Sequence, residues 1–156
     1  MTSRKFMQLA IKEARKNLRD MQGGPFGACI VKNNRVVAVA RNTVLKNDAT
    51  CHAEVNAIRI AAKKLGTFDL SGCEIYSTTE PCPMCFAAIH WAKIGQIYYG
   101  TNIADVQKRG FNELSVSNRM LKKIGHSKVK INSKCARREC LALLVEWDHL
   151  PRKRVY

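Results

Sequence analysis

Two short segments of the chain carry the residue types that bind zinc and move protons. Residues 51–54 read Cys-His-Ala-Glu, and residues 81–85 read Pro-Cys-Pro-Met-Cys. Each segment stands where a helix can begin. Zinc binds thiolates and imidazole in tetrahedral geometry, and two cysteines three residues apart at a helix start can reach one ion together. The positive end of a helix dipole also favours their thiolates. The spacing therefore predicts a Zn²⁺ site formed by His52, Cys82 and Cys85.

Three protein ligands leave one position of a tetrahedral zinc ion open for water, which is typical of a catalytic site. Glu54, two residues after His52, can face the same pocket without binding the metal, and there it can carry a proton from water to a departing amine. The alternatives are a structural zinc site or a redox Cys-x-x-Cys pair. A structural site needs a second compact pair of ligands, which is not visible in the sequence, and a redox pair does not need His-Ala-Glu. The pattern H-x-E with P-C-x-x-C matches the signature of zinc deaminases that act on nucleobases.

Hydrophobic periodicity predicts the elements that position these segments. Helices are predicted over 3–20, 51–65, 82–94, 120–124 and 137–147, and strands over 28–31, 36–40, 74–77, 97–99 and 129–131. The strands over 74–77 and 97–99 follow helical crossovers, so we expect them to run parallel to their neighbours. The sequence thus predicts one α/β domain over residues 1–156. This domain is a three-layer α/β/α sandwich with a mixed central sheet of about five strands and helices on both faces.

The composition, 46% hydrophobic and 25% charged residues over 156 positions, is that of an ordinary globular domain. No run approaches the roughly 20 apolar residues of a membrane helix, and the first residues lack the apolar core of a signal peptide. We therefore expect a cytoplasmic protein that does not enter a membrane. Seven cysteines, an odd number, argue against a disulfide framework and favour metal ligation with a few buried thiols.

The net charge of +15 is concentrated toward the C-terminus, where residues 108–156 hold 13 basic and 4 acidic side chains. Such a surface attracts polyanions, and RNA is the obvious partner. A solvated basic surface without any partner explains the same charge. The sequence leaves both interpretations open.

From about residue 6 to residue 99 the chain resembles the cytidine/deoxycytidylate deaminase-like superfamily. Residues 23–28, Gly-Gly-Pro-Phe-Gly-Ala, and residues 88–92, Ala-Ile-His-Trp-Ala, are similar to its guanine deaminase branch. Residues 110–113, Gly-Phe-Asn-Glu, fall where that branch carries an acidic pair, with Asn112 in place of one acid. The resemblance implies the cytidine deaminase-like fold and hydrolysis of guanine to xanthine and ammonia.

The resemblance also implies contacts between the base and a further set of residues. The base would stack in a pocket edged by Phe26 and Trp91, Asn42 would hydrogen-bond it, and Glu113 would hold purine N–H groups. Main-chain N–H groups near Ala53 and Cys82 would stabilise the intermediate. The chain is expected to form a homodimer, in which a C-terminal Tyr156 could reach the partner's site by domain swapping. The residues expected to contact substrate are thus Phe26, Asn42, Ala53, Trp91, Glu113 and Tyr156.

The sequence is also compatible with other substrates. Residues 138–144 resemble the C-terminal helix of tRNA adenosine deaminases, which form inosine, and the basic tail suits RNA. Another free base or a nucleoside, such as cytosine or guanosine, would also fit the zinc motif. A non-catalytic zinc-binding or RNA-binding module is the alternative from a different class, and the intact Glu54 argues against it.

Overall fold

The computed structural model describes residues 2–156. Its helices are α1 (Ser3–Arg15), α2 (Asn17–Asp20), α3 (Ala53–Leu65), α4 (Pro83–Trp91), α5 (Ile103–Gln107), α6 (Asn118–Ile124) and α7 (Arg137–Asp148). Its strands are β1 (Gly27–Lys32), β2 (Arg35–Arg41), β3 (Cys73–Thr79), β4 (Gln96–Thr101) and β5 (Lys130–Asn132). Met1 lies outside the described residues, and the prediction of one domain over 1–156 stays a prediction.

The five strands form one mixed sheet in the order β2-β1-β3-β4-β5. Strand β1 is antiparallel to both β2 and β3, whereas β3, β4 and β5 run parallel. One face of the sheet packs against α3 and α4 through a core that includes Ala57 and Ile89. The other face packs against α1 and α7 through a core that includes Met7 and Leu143. The predicted three-layer α/β/α sandwich is therefore confirmed.

The predicted direction of β3 is right on one side of the strand and wrong on the other. The strand is parallel to β4, as expected, but antiparallel to β1. Helix α3 does return the chain to start a strand parallel to β2, yet β1 lies between the two. Because the hairpin makes β1 antiparallel to β2, a strand parallel to β2 on the far side of β1 must be antiparallel to β1.

The first predicted helix, over 3–20, is two helices in the structure. Helix α1 ends at Arg15, and the short α2 ends at Asp20, followed by the C-cap residue Met21 with left-handed backbone angles (φ 53°, ψ 33°). Helix α5 was not expected from the sequence; it begins with a reciprocal capping box between Asn102 and Asp105. Within residues 2–156, none of the helices combines the length and apolar character needed to cross a membrane.

Candidate active site

The helices that carry the two motifs pack against each other, and their first residues lie together. His52 is the N-cap residue of α3 (φ −66°, ψ 156°), and Cys82 is the N-cap residue of α4 (φ −64°, ψ 168°). Both residues are extended, while the residues that follow them are helical. Pro83 occupies the first turn of α4, where its missing N–H has no helical partner to lose. The motifs thus supply the helix starts that the sequence predicts.

The three expected metal ligands stand at the distances that a zinc ion requires. Nδ1 of His52 lies 3.5 Å from Sγ of both Cys82 and Cys85, and all three donor atoms lie within 4.8 Å of one another. Tetrahedral zinc, with Zn–S bonds of about 2.3 Å and Zn–N bonds of about 2.0–2.1 Å, separates its nitrogen and sulfur ligands by about 3.5 Å. The donor set therefore fits one zinc ion and leaves a coordination position for another molecule.

Hydrogen bonds within the donor set favour a thiolate at Cys82. The bond from the Cys85 thiol, helped by His52, lowers the pKa of Cys82 to about 4 against the effect of burial. The same bond and burial raise the pKa of Cys85 well above its usual range. Zinc binds thiolates, so Cys82 is already in its metal-binding form, while metal binding must displace the proton of Cys85.

Glu54 lies beside the donor set in the first turn of α3 and is 6% exposed. Its Oε1 accepts a hydrogen bond from Ser77 Oγ at 2.9 Å, and its Oε2 lies 3.4 Å from Cys85 Sγ. Burial raises the pKa of Glu54, and the positive charge of His52 opposes this effect. A carboxyl group with a raised pKa, placed next to a metal site, can take up and release a proton during turnover.

A pocket of about 360 Å³ opens at the donor set, within the range of about 300–1,000 Å³ that is usual for small-molecule sites. Its wall contains four of the residues expected to contact a base: Phe26, Asn42, Glu113 and Tyr156. The ring of Phe26 packs edge-on against Phe111, with centroids 5.1 Å apart. This contact fixes the orientation of the aromatic ring that the pocket presents.

Asn42, Tyr156 and Gly24 form a hydrogen-bonded corner of the pocket. The Tyr156 hydroxyl donates to Oδ1 of Asn42 at 2.7 Å and accepts from the main-chain N–H of Gly24 at 2.9 Å. Oδ1 of Asn42 also accepts from the N–H of Val44 at 3.0 Å. These bonds fix the Asn42 side chain and leave its amide NH₂ group to donate to a ligand. A Cβ atom at Gly23 would overlap Oδ1 of Asn42, so the close approach of the main chain requires glycine.

Glu113 adds a third carboxyl group to the pocket wall, beside Glu54 and Glu80, and the oxygens of Glu80 already accept from the main-chain N–H groups of Ile103 and Asn118. Burial raises the pKa of Glu113 to about 7, with the charge of Cys82 adding to the effect. The segment around Glu113 is tied to the C-terminal residue of the same chain. The N–H of Asn112 donates to the carbonyl oxygen of Tyr156 at 3.0 Å, and Phe111 packs edge-on against the Tyr156 ring. Tyr156 thus reaches the pocket of its own chain.

The prediction that Trp91 edges this pocket is wrong for the chain's own site. Trp91 is the last residue of α4 and is 76% exposed, whereas the metal ligands lie at the first turn. At 1.5 Å per residue, nine residues separate Trp91 from Cys82 by about 13 Å along the helix axis. Ala53 is buried and its side chain is not part of the pocket wall, so only its main chain could serve a substrate.

The sequence reasoning missed Ser77 and Phe111. Ser77 is buried on β3 and contacts Glu54, and Phe111 packs against both aromatic residues of the pocket. A signal for Ser77 was present in the three consecutive hydroxyl residues 77–79, which are unusual at the end of an otherwise apolar buried strand. Phe111 had no local signal, because its partners are far away in the sequence.

Comparison with known proteins identifies the group to which this architecture is related. Residues 1–101 match the model of the family described as "Cytidine and deoxycytidylate deaminase zinc-binding region". Guanine deaminase of Bacillus subtilis is 42% identical over 109 residues, which cover 69% of this chain and 70% of that protein. A tRNA-specific adenosine deaminase of Agrobacterium fabrum is 45% identical over 96 residues, 61% of this chain and 62% of that protein.

The solved structures include a guanine deaminase from Nitrosomonas europaea with a similar fold. It is 27% identical, with a TM-score of 0.83, and the alignment covers 93% of this chain and 84% of that one. The match extends through the C-terminal elements, beyond the residues that the family model covers. Sequence relatives of both substrate types are similarly close, so identity alone does not separate a guanine site from an adenosine site.

Proposed function

Since the chain belongs to the cytidine and deoxycytidylate deaminase zinc-binding family, whose members are hydrolases acting on C–N bonds, we propose that it hydrolyses free guanine to xanthine and ammonia. We assign His52, Cys82 and Cys85 as the zinc ligands and Glu54 as the residue that transfers protons. The observation that carries the choice of substrate is the position of Glu113, a carboxyl group in the wall of the same pocket as Glu54.

A carboxylate binds N–H donors, and the possible substrates differ in the donors that they offer. Free guanine has ring N–H groups in addition to the amine that is lost. Adenosine has no ring N–H, because its unsubstituted ring nitrogens are acceptors and N9 is bonded to ribose. Once the exocyclic amine of adenosine is directed toward the metal, Glu113 would have no N–H group of the base to bind. Glu113 therefore supports a substrate with a ring N–H group, such as guanine, over adenosine.

The proposed site residues divide the work of binding and proton transfer. Bound zinc would supply the acidity that brings the pKa of water toward neutrality. Oε2 of Glu54, which faces the donor set, accepts the proton of that water and gives it to the departing amine. Phe26 presents an aromatic surface to the base, and the fixed amide of Asn42 donates to an acceptor on the base. Glu113 binds ring N–H groups and so turns the amine-bearing carbon toward the metal.

The second candidate function, deamination of adenosine in tRNA, is favoured by the 45% identity to the Agrobacterium relative and by the net charge of +15. It needs a path by which a nucleotide still attached to RNA enters the pocket. The Tyr156 hydroxyl and the segment around Glu113 both lie in the pocket wall, and they would have to make room for ribose. A homodimer, with or without exchange of the C-terminal segment, and a cytoplasmic location both stay predictions.

The test is to follow the ultraviolet absorbance of free guanine, cytosine, adenosine and guanosine, and then to assay inosine formation in a tRNA anticodon stem-loop. We expect turnover of guanine with no RNA present. A Glu54→Ala protein should keep a stoichiometric zinc ion and lose at least about 100-fold in kcat, the lower range for a general acid–base group. Full turnover by zinc-loaded Glu54→Ala would overturn the role of Glu54, and turnover of the stem-loop alone would overturn the choice of guanine.

A further inference from the structure

The side chain of Ser77 is buried next to the proton-transferring carboxylate. The reaction described above gives Ser77 no role. It lies on β3, the central strand of the sheet, and is 2% exposed. Its main chain is paired with Ala28 on one side and with Tyr99 on the other. A side chain on such a strand has little freedom to move. A group that accepts a hydrogen bond from the Ser77 hydroxyl is therefore held in a fixed position.

The hydroxyl group of Ser77 makes the two oxygens of Glu54 unequal. Oε1 accepts from Ser77 Oγ at 2.9 Å, while Oε2 points to the metal donor set, 3.4 Å from Cys85 Sγ. A Glu side chain has a freely turning terminal torsion, and the Cys85 thiol, the other side chain that donates to this carboxylate, loses its proton when it binds zinc. Ser77 is then the side-chain donor left to orient the carboxyl group.

The main-chain carbonyl of Thr79, 2.6 Å from Ser77 Oγ, gives the hydroxyl a second acceptor. A hydroxyl has one proton and donates to one acceptor at a time. The second acceptor keeps Ser77 satisfied whenever it turns away from Glu54, so the buried hydroxyl is not left without a partner. The fold therefore does not depend on the contact between Ser77 and Glu54.

From this arrangement we propose that Ser77 is a positioning residue for the deamination. It holds Oε1 of Glu54 so that Oε2 faces the water to be deprotonated and the amine that leaves. This inference rests on the proposed function, because it assigns Ser77 a role only through Glu54. It implies that Ser77 contributes to the chemical step, with little contribution to zinc binding or to substrate binding.

The experiment compares Ser77→Ala with Ser77→Thr and with Ser71→Ala, a control at an exposed serine in the turn before β3. For Ser77→Ala we expect kcat for guanine to fall about 10- to 100-fold, the effect of losing a hydrogen bond to a charged group. KM, zinc content and the melting temperature should stay close to those of the unchanged protein. Ser77→Thr keeps the hydroxyl and should restore most of kcat, and Ser71→Ala should change none of these quantities.

A double-mutant cycle with Glu54→Gln separates positioning from a merely structural role. If Ser77 acts through Glu54, adding Ser77→Ala to Glu54→Gln should lower the residual kcat by less than about twofold. An unchanged kcat in Ser77→Ala would overturn the positioning role. An equal fold-loss of kcat from Ser77→Ala in the unchanged protein and in the Glu54→Gln protein would also overturn it. Neither result would contradict guanine turnover by the unchanged protein. If the unchanged protein turns over no free base, the proposed function fails instead, so the two failures are distinguishable.

Discussion

At the scale of single residues, the carboxyl group of Glu113 and the amide of Asn42 are the polar side chains that would distinguish one base from another. Ionised Glu113 can accept hydrogen bonds from two N–H groups, whereas glutamine at this position offers one acceptor and an unwanted donor. We expect Glu113→Gln to raise KM for guanine about 10- to 100-fold, as for loss of a hydrogen bond to a charged group, with a smaller change in kcat. Glu146→Gln, the same change at an exposed glutamate of α7 outside the pocket wall, is the matched control and should have little effect on KM.

The pH dependence of KM gives a second measurement on the same residue. Burial raises the pKa of Glu113 to about 7, so the carboxyl group is ionised above that pH and protonated below it. Protonation removes one acceptor, and KM for guanine should therefore rise as pH falls through about 7. Steady-state kinetics between about pH 6 and 8.5 should show this step in the unchanged protein and not in Glu113→Gln. If KM depended on pH in the same way in the unchanged protein and in Glu113→Gln, the assignment of this step to the Glu113 carboxyl group would be wrong.

At the scale of elements, an ion pair joins α5 to α7 close to the segment that carries Glu113. Arg137 at the start of α7 donates two hydrogen bonds, of 2.7 and 3.1 Å, to Asp105 in the first turn of α5. Asp105 also accepts from the main-chain N–H of Asn102 in the capping box. Burial tends to raise the pKa of Asp105, but these bonds outweigh it and the net pKa is lowered. The pair thus holds the helix that leads into the pocket wall.

We predict that Asp105→Asn lowers the free energy of unfolding by about 2 kcal/mol, because the charge-assisted bonds to Arg137 are lost and the bond from the N–H of Asn102 to a neutral amide oxygen is weaker. For a domain of this size that corresponds to a decrease in melting temperature of roughly 4–8 °C. Because the pKa of Asp105 is lowered in the folded state, its stabilisation is present above the pKa of the unfolded chain. It is lost as pH falls below about 4. Thermal melts at neutral and acid pH should show the difference between the two proteins shrinking below about pH 4.

A combined variant checks that the ion pair accounts for this effect. Arg137→Gln should also destabilise the protein, and the double variant with Asp105→Asn should lose less than the sum of the two single effects. Strict additivity would mean that the two side chains contribute independently, and the capping box alone would then explain the effect of Asp105→Asn.

The elements also show which parts of the site the sequence could predict. That His52, Glu54, Cys82 and Cys85 lie together was predictable, because ligand type and short spacing at helix starts restrict the possible arrangement within a few residues. The direction of β3 against β1 was not, because it depends on which strand lies between β2 and β3. Trp91 failed for a related reason: an apolar helix pattern does not tell which end of α4 faces the pocket. The run of hydroxyl residues 77–79 marked Ser77 as unusual, but local patterns do not report its contact with Glu54 or the contacts of Phe111, because these join segments far apart in the chain.

At the scale of the whole molecule, positive charge is spread over one edge of the sheet. Residues 119–138, which include most of α6 and all of β5, contain eight Lys and Arg and no Asp or Glu. Of these, Arg137 is paired with Asp105, and most of the others are exposed. A surface of this kind attracts RNA without sequence preference and releases it as salt displaces the phosphate contacts. Charge alone therefore does not distinguish a substrate from a polyanion that binds weakly elsewhere on the surface.

Salt dependence separates the two candidate substrates, because guanine is neutral and RNA is not. If free guanine is the substrate, kcat/KM should change by less than about twofold between about 50 and 200 mM salt. The affinity for a tRNA stem-loop should fall steeply over the same range, since each phosphate contact adds to the slope of log K against log salt. Guanine turnover should also be insensitive to added stem-loop at the higher salt, where the RNA has dissociated. If inosine formed in the stem-loop, and its rate fell with salt in parallel with RNA binding, the pocket would instead be assigned to a nucleotide within RNA. Glu113 would then need a different partner.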